Sequence, residues 1–319
     1  MIEGQSETMR SGEGTHRSRR RLCALLQALA SCGTLGGEGG GSENLPNRGI
    51  IPYTRIEARA IDALPGERLR EPSAVLRDGR VALYFEVRTA SAARIDRAVG
   101  DGLAFGPRET VLEDAGAPSV IWVEGVAHLV FERKSGIGHG TSADGIVFEI
   151  DRDPILRGAG IGAPSLVATE EGFELYHQVR TSSAIFVARS GRNLAFADAS
   201  EVLAPGTMCT GTDGGPEACW DGESVQAPEV RLATTANGRQ VLRMMYTGRG
   251  RAGSGIGFAA AELGGDFVRF ATNPIVDAED VDEEAPTNLR LEDRYLLWFS
   301  ETGGIAVAID DAGLPSERF

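Results

Sequence analysis

No run of 18 apolar residues occurs in the 319-residue chain, so no segment reads as a helix able to cross a bilayer. Histidine is scarce: the four present are scattered and lack neighbouring cysteines, which leaves no zinc-binding pattern. Aromatic residues make up only 6% while glycine numbers 42, a balance that favours short elements joined by tight turns over long helices. Basic residues are outnumbered 46 to 32, and a net charge of −14 does not supply the clustered Lys and Arg that nucleic-acid phosphates require. The glycine clusters GAGIGA (158–163) and GRGRAGSGIG (248–257) lack a Walker lysine and a helical pattern behind them, and read as turns. His139, in GIGHGTS, also reads as a turn residue. No nucleophile elbow is present, and no cofactor or metal is expected. What remains, 42% apolar and 24% charged, suits a globular protein of one or two domains.

The amino-terminal region has its own logic. Arg17, Arg19, Arg20 and Arg21 precede a short apolar run, Leu22 to Leu29, which ends in Leu-Ala-Ser-Cys at Cys32. This order is similar to an export signal with the lipobox of bacterial lipoproteins. The resemblance implies a signal peptide over 1–31, acylation of Cys32, a Gly-rich tether over 32–48 and a folded domain over 49–319, held at the cell envelope by lipid alone. Cys23 would leave with the signal. Cys209 and Cys219 are then the remaining pair, expected to bond to each other in an oxidising compartment.

The chain aligns on itself. REPSAVL, GAPSVIW, GAPSLVA, QAPEVRL and EAPTNLR share a proline followed by a strand-like run, at Pro72, Pro118, Pro164, Pro228 and Pro286. Twelve residues after four of these prolines stand Tyr84, Val130, Tyr176 and Trp298, each in a second strand; the fourth repeat has VLRMMYTG after a longer turn. Third strands start at Ile95, Ile137, Ile185, Ile256 and Ile305. In the first four repeats a turn and a phenylalanine follow: Phe105, Phe148, Phe196 and Phe267. Fourth strands are TVLED, DPILRG, SEVLAPG and NPIVDA. The fifth repeat stops after its third strand, and RIEARAIDALPG (55–66) supplies the missing one. The pattern predicts an all-β fold: a five-bladed β-propeller of four-stranded antiparallel blades, closed by an amino-terminal strand and monomeric.

In such a wheel the prolines converge round the axis, each opening an innermost strand and holding the residue before it extended. Two carboxylates stand out beside them, Glu71 before Pro72 and Glu229 after Pro228. The turns between second and third strands add Arg88, Arg133, His177, Arg180, Arg249 and Glu301 to the same rim as expected ligand-binding groups. Trp220, in the long connection 206–226, is expected at the mouth, where its face could stack on a sugar ring. DAEDVDEE (277–284) reads as a solvated acidic loop.

This blade pattern resembles the five-bladed glycoside hydrolases of the arabinanase and β-xylosidase type (family 43), related to the levansucrase and invertase type. The resemblance implies an acid before the blade 1 proline, where Glu71 stands. At blades 2 and 3, where that family carries its other acids, this chain has Ala117 with Ser119 and Ala163 with Ser165. The implied reading is a carbohydrate-acting propeller with a rearranged pair, Glu71 and Glu229, assisted by Arg88 and Arg180. The alternatives are a non-catalytic carbohydrate-binding lipoprotein and a protein-interaction lipoprotein.

Overall fold

The computed structural model describes residues 53–207, 219–235, 237–251, 253–276, 283–291 and 294–310. The expected signal peptide, the tether, Cys32 and Cys209 lie outside them. The described residues form five antiparallel sheets. Blade 1 runs Arg68–Arg77, Arg80–Arg88, Ala93–Gly100 and Glu109–Glu113. Blade 2 runs Gly116–Val123, Val126–Arg133 and Gly136–Ser142, its outer edge shared by the short strands Glu149–Ile150 and Leu156–Arg157. Blade 3 runs Ile161–Ala168, Phe173–Val179, Ile185–Ser190 and Ala197–Leu203. Blade 4 runs Ser224–Thr234, Gln240–Gly250, Gly253–Glu262 and Val268–Arg269, and among the described residues of NPIVDA a single bridge joins Val276 to Ile256. Blade 5 runs Glu284–Leu291, Arg294–Glu301 and Gly304–Asp310; Thr54–Arg55 and Ile61–Asp62 complete it by pairing with that last strand. The innermost strands touch in the order 1–2–3–4–5–1. The wheel is closed.

Burial follows the repeat. Ile95, Ile137, Ile185, Ile256 and Ile305 are all fully buried, as are Tyr84, Val130, Tyr176 and Trp298 in the second strands. Three of the phenylalanines pack edge-on against the second-strand aromatic of the preceding blade: Phe148 on Tyr84, Phe267 on Tyr176 and Phe105 on Trp298. The Asp-Gly turns ahead of Phe105 and Phe148 explain why. Asp101 and Asp144 each accept two backbone N–H groups, and the turn presents the carbonyl of Gly102 or Gly145 to the neighbouring blade. Trp298 donates its indole N–H to Gly102 at 2.8 Å, and Tyr84 its hydroxyl to Gly145 at 2.6 Å. Both glycines have positive φ, and a Cβ on Gly145 would fall 2.7 Å from the Tyr84 oxygen. Trp298 and Tyr84 thus satisfy their polar atoms on the turn of the next blade, while Tyr176 donates to Glu174 of its own strand.

The prolines sit differently from the sequence expectation. None opens its strand; each lies inside it, at a register shift. The residue before each, Glu71, Ala117, Ala163, Ala227 and Ala285, is not extended but left-handed, with φ between +44° and +51°. The bulge at each proline puts one residue in that region, and an L residue there costs roughly 1–2 kcal/mol. Latches between blades offset the cost. The backbone N–H of the left-handed residue donates to a side chain at the end of the previous blade's second strand: Ala117 to Glu86, Ala227 to Gln178, Ala285 to Thr247 and Glu71 to Ser300. The residue after the proline makes a second latch, its hydroxyl accepting an N–H from the next blade: Ser73 from Val120, Ser119 from Leu166, Ser165 from Val230 and Thr287 from Ala74. Each such bond contributes about 1 kcal/mol net and would cost more if broken in the buried interior.

Candidate functional site

The five left-handed residues and their prolines meet round the axis in a constriction of about 20 Å³. Four of the five are alanines, three of which pack on one another. The fifth is Glu71. At the upper end, where the innermost strands begin, it is surrounded by charge. Glu86 lies 2.6 Å from Arg88; Glu132 is gripped by Arg180; Glu284 is held by Arg249 and, at 3.3 Å, by Arg70. The Glu132 carboxylate lies against Gly162 as that of Glu86 lies against Gly116. Burial pushes the Glu71 carboxyl up to about 7; Arg70 opposes the rise, and the carboxylates of Glu86, Glu284 and Glu132 add to it. Glu132, by contrast, hydrogen-bonds to Arg180 and raises that guanidinium further. One carboxyl ready to hold a proton near neutral pH therefore faces carboxylates paired to arginines.

Glu229 faces other partners. Its carboxylate lies 2.5 Å from Arg231 and accepts from the Thr287 hydroxyl. Burial raises it, and Arg231 holds it down. Arg231 also donates to the carbonyl of Ala74, so it reaches from blade 4 to blade 1. Glu71 and Glu229 both line the constriction, but Arg231 pairs with Glu229, while Arg70, the cation that acts on Glu71, also holds Glu284. The larger described cavity, about 410 Å³, opens beyond Glu229 toward the lower end, where the innermost strands finish, and not at the upper rim as the sequence suggested.

Of the rim residues, the structure brings Arg88, Arg180 and Arg249 to the charged cluster. The others go elsewhere. Arg133 turns to the Arg152 carbonyl of its own blade. His177 is 1% exposed and stacks on Phe186, and burial holds its imidazole below the usual range. Glu301 is buried and gripped by Arg55 and, at 2.6 Å, Arg59, which ties the closing strands to blade 5. Each of these three is the immediate neighbour of a latch residue (Gln178, Ser300) or of Glu132, which stands at the equivalent place in blade 2, and a strand turns successive side chains to opposite faces. That parity was readable in the sequence. Trp220 does not stand free at the mouth; it packs on Tyr246 in a bay left open by Gly248, Gly255 and Gly257. Those glycines belong to two strands, not to a turn as read from GRGRAGSGIG. His139, also no turn residue, is buried in a strand between His128 and Asp151. The acidic segment ends in buried Glu283 and strand residue Glu284, and 277–282 lie outside the described residues. Cys219 is buried, its expected partner Cys209 lying outside the described residues.

No protein-family model and no curated protein matches this sequence. Solved structures do. A glycosyl hydrolase from Bacteroides ovatus superposes with a TM-score of 0.66 over 85% of this chain and 97% of its own, at 13% identity. A thermostable family-43 glycoside hydrolase gives 0.58 over 82% and 94%, at 16% identity. A family-62 hydrolase solved with xylotriose gives 0.62 over 81% and 97%, at 9% identity. The fold is that of the five-bladed propeller glycoside hydrolases. At these identities the likeness is one of architecture.

Proposed function

We propose that this chain acts on carbohydrate at the upper end of the propeller axis, as a glycoside hydrolase whose proton donor is Glu71. The observation that carries the reading is the carboxyl of Glu71, half-buried in the constriction and raised to about 7 among carboxylates that arginines pair. Glycoside cleavage asks for one protonated and one ionised carboxyl on either side of the scissile bond. Glu71 supplies the first. Glu132, held by Arg180, is the partner carboxyl, and Glu229, engaged by Arg231 and Thr287, serves the floor of the constriction. Arg88 and Arg249 are placed to bind sugar hydroxyls.

The test is turnover by the purified protein on a panel of aryl-glycosides and glycans across pH. Wild type is expected to lose activity as pH rises through about 7, when Glu71 gives up its proton, and Glu71→Gln to lose roughly 10²-fold or more. One observation favours a second reading, carbohydrate binding without cleavage: Ser119 and Ser165, at positions where the family resemblance implies acids, are committed to the latches. Glycan binding with no turnover by wild type or variant would select it, and absence of both would end the carbohydrate reading.

The same reading places the protein at the cell envelope, with Cys32 acylated and residues 33–48 as leash. Its support is the basic-apolar-Cys order of the sequence. The full chain is expected in the membrane fraction and Cys32→Ser in the soluble one; equal partitioning of the two would remove the anchor.

A further inference from the structure

The carbohydrate reading leaves the lower cavity unused, and its lining differs from the upper end in kind. Its walls are apolar and come from all five innermost strands, among them Val75, Ile121, Trp122, Val167, Leu232 and Leu289. At about 410 Å³ it falls within the size range of small-molecule sites. Its floor is polar. Ser73, Ser119 and Ser165 face it from three blades, with Glu229 and Arg231 from a fourth.

The chemistry of that floor selects a head group. Each serine hydroxyl already accepts a backbone N–H in its latch, which uses a lone pair and leaves the hydroxyl hydrogen to be donated. Among the described residues, none of the three donates it to a protein acceptor. Three donors from different blades thus meet beside the axis. Glu229 and Arg231 neutralise each other, so an anionic head would face the carboxylate and a cationic one the guanidinium. The floor suits a neutral acceptor.

We infer that this cavity is a second binding site, for a compact neutral molecule with an apolar ring or short chain and one carbonyl-type oxygen. The oxygen lies on the serine hydroxyls and the apolar body against Val75, Val167 and Leu289. Trp122, covered by Arg77 at 3.7 Å, and the half-exposed Leu76 form the lip. The site stands at the opposite end of the axis from Glu71 and does not depend on the carbohydrate reading.

The probe is prodan, an uncharged naphthyl ketone whose emission shifts to the blue in an apolar site. Wild type is expected to bind it saturably, one per chain, with that shift. Ala168→Trp and Leu232→Trp, which fill the cavity from two different blades, are each expected to weaken binding about tenfold or more. Glu71→Gln, at the other end, is expected to bind as wild type does. Thermal melts establish that each variant is folded. No saturable shift with folded wild type overturns the inference, and so does binding that survives both tryptophans or is lost in Glu71→Gln.

Discussion

Replacing Arg55 and Arg59 together by alanine is expected to lower the unfolding free energy by about 3–5 kcal/mol at neutral pH, and adding Glu301→Gln to restore most of it. The reason lies in where the charges sit. The Glu301 side chain is 1% exposed, while the two arginines are about a third exposed. Removing both cations strands a buried carboxylate; removing its charge as well strands nothing. Arg55 lies on the first amino-terminal strand, Arg59 in the connection to the second, and the carboxylate on blade 5, so the clasp holds the joint at which the wheel closes. Urea unfolding of wild type, double and triple variants, compared at equal slopes, measures the coupling. A double variant within about 1 kcal/mol of wild type would reduce the clasp to an ordinary surface ion pair.

The second large effect concerns Glu71 and runs toward greater stability. The carboxyl moves from 4.5 to about 7 on folding. A raised carboxyl pKa means that the folded state favours the protonated form. Its stability is fully present below pH 4.5, declines as the pH climbs and has been lost above about 7. The whole excursion amounts to about 3 kcal/mol. Glutamine copies the protonated side chain and removes the titration. Glu71→Gln is therefore expected to exceed wild type in stability by up to about 3 kcal/mol at pH 8, with the gap closing as pH falls toward 4.5. Denaturant midpoints of both proteins at several pH values read this directly, since other carboxylates cancel in the difference. A gap that does not change with pH would mean that Glu71 ionises as freely as in water. The variant expected to lose turnover is thus expected to gain stability, the trade common to strained functional sites.

Much of the wheel was legible in the sequence because its signals are periodic. The proline-led strands, the buried third-strand isoleucines and the borrowed closing strand all recur at spacings that survive a divergent sequence. The site was less legible for two reasons. The left-handed bulge is a backbone event: proline and the residue before it favour an extended chain locally, and only the latches from a neighbouring blade overturn that preference. Ser119 and Ser165 looked like small residues filling places meant for acids, and with Ser73 and Thr287 are instead the bonds between blades. The rim residues failed on parity. Arg88 shares the orientation of Glu86 and reaches the cluster, whereas His177 takes the core side occupied by Phe85, Phe131 and Phe299 in other blades. The packing of Trp220 depended on three glycines in two strands, which no local pattern distinguishes from turn glycines.

The pairing of Thr54–Arg55 and Ile61–Asp62 with Gly304–Asp310 orders events during biosynthesis. The closing strands, made ahead of every blade, find their neighbour only when some 240 further residues have followed them. Until then the outer edge of the final blade does not exist, and the early strands wait with their amides unmatched. A chain that stops short of residue 304 would carry that unmatched ribbon permanently, which makes carboxyl-terminal truncation a route to self-association rather than to a smaller working wheel.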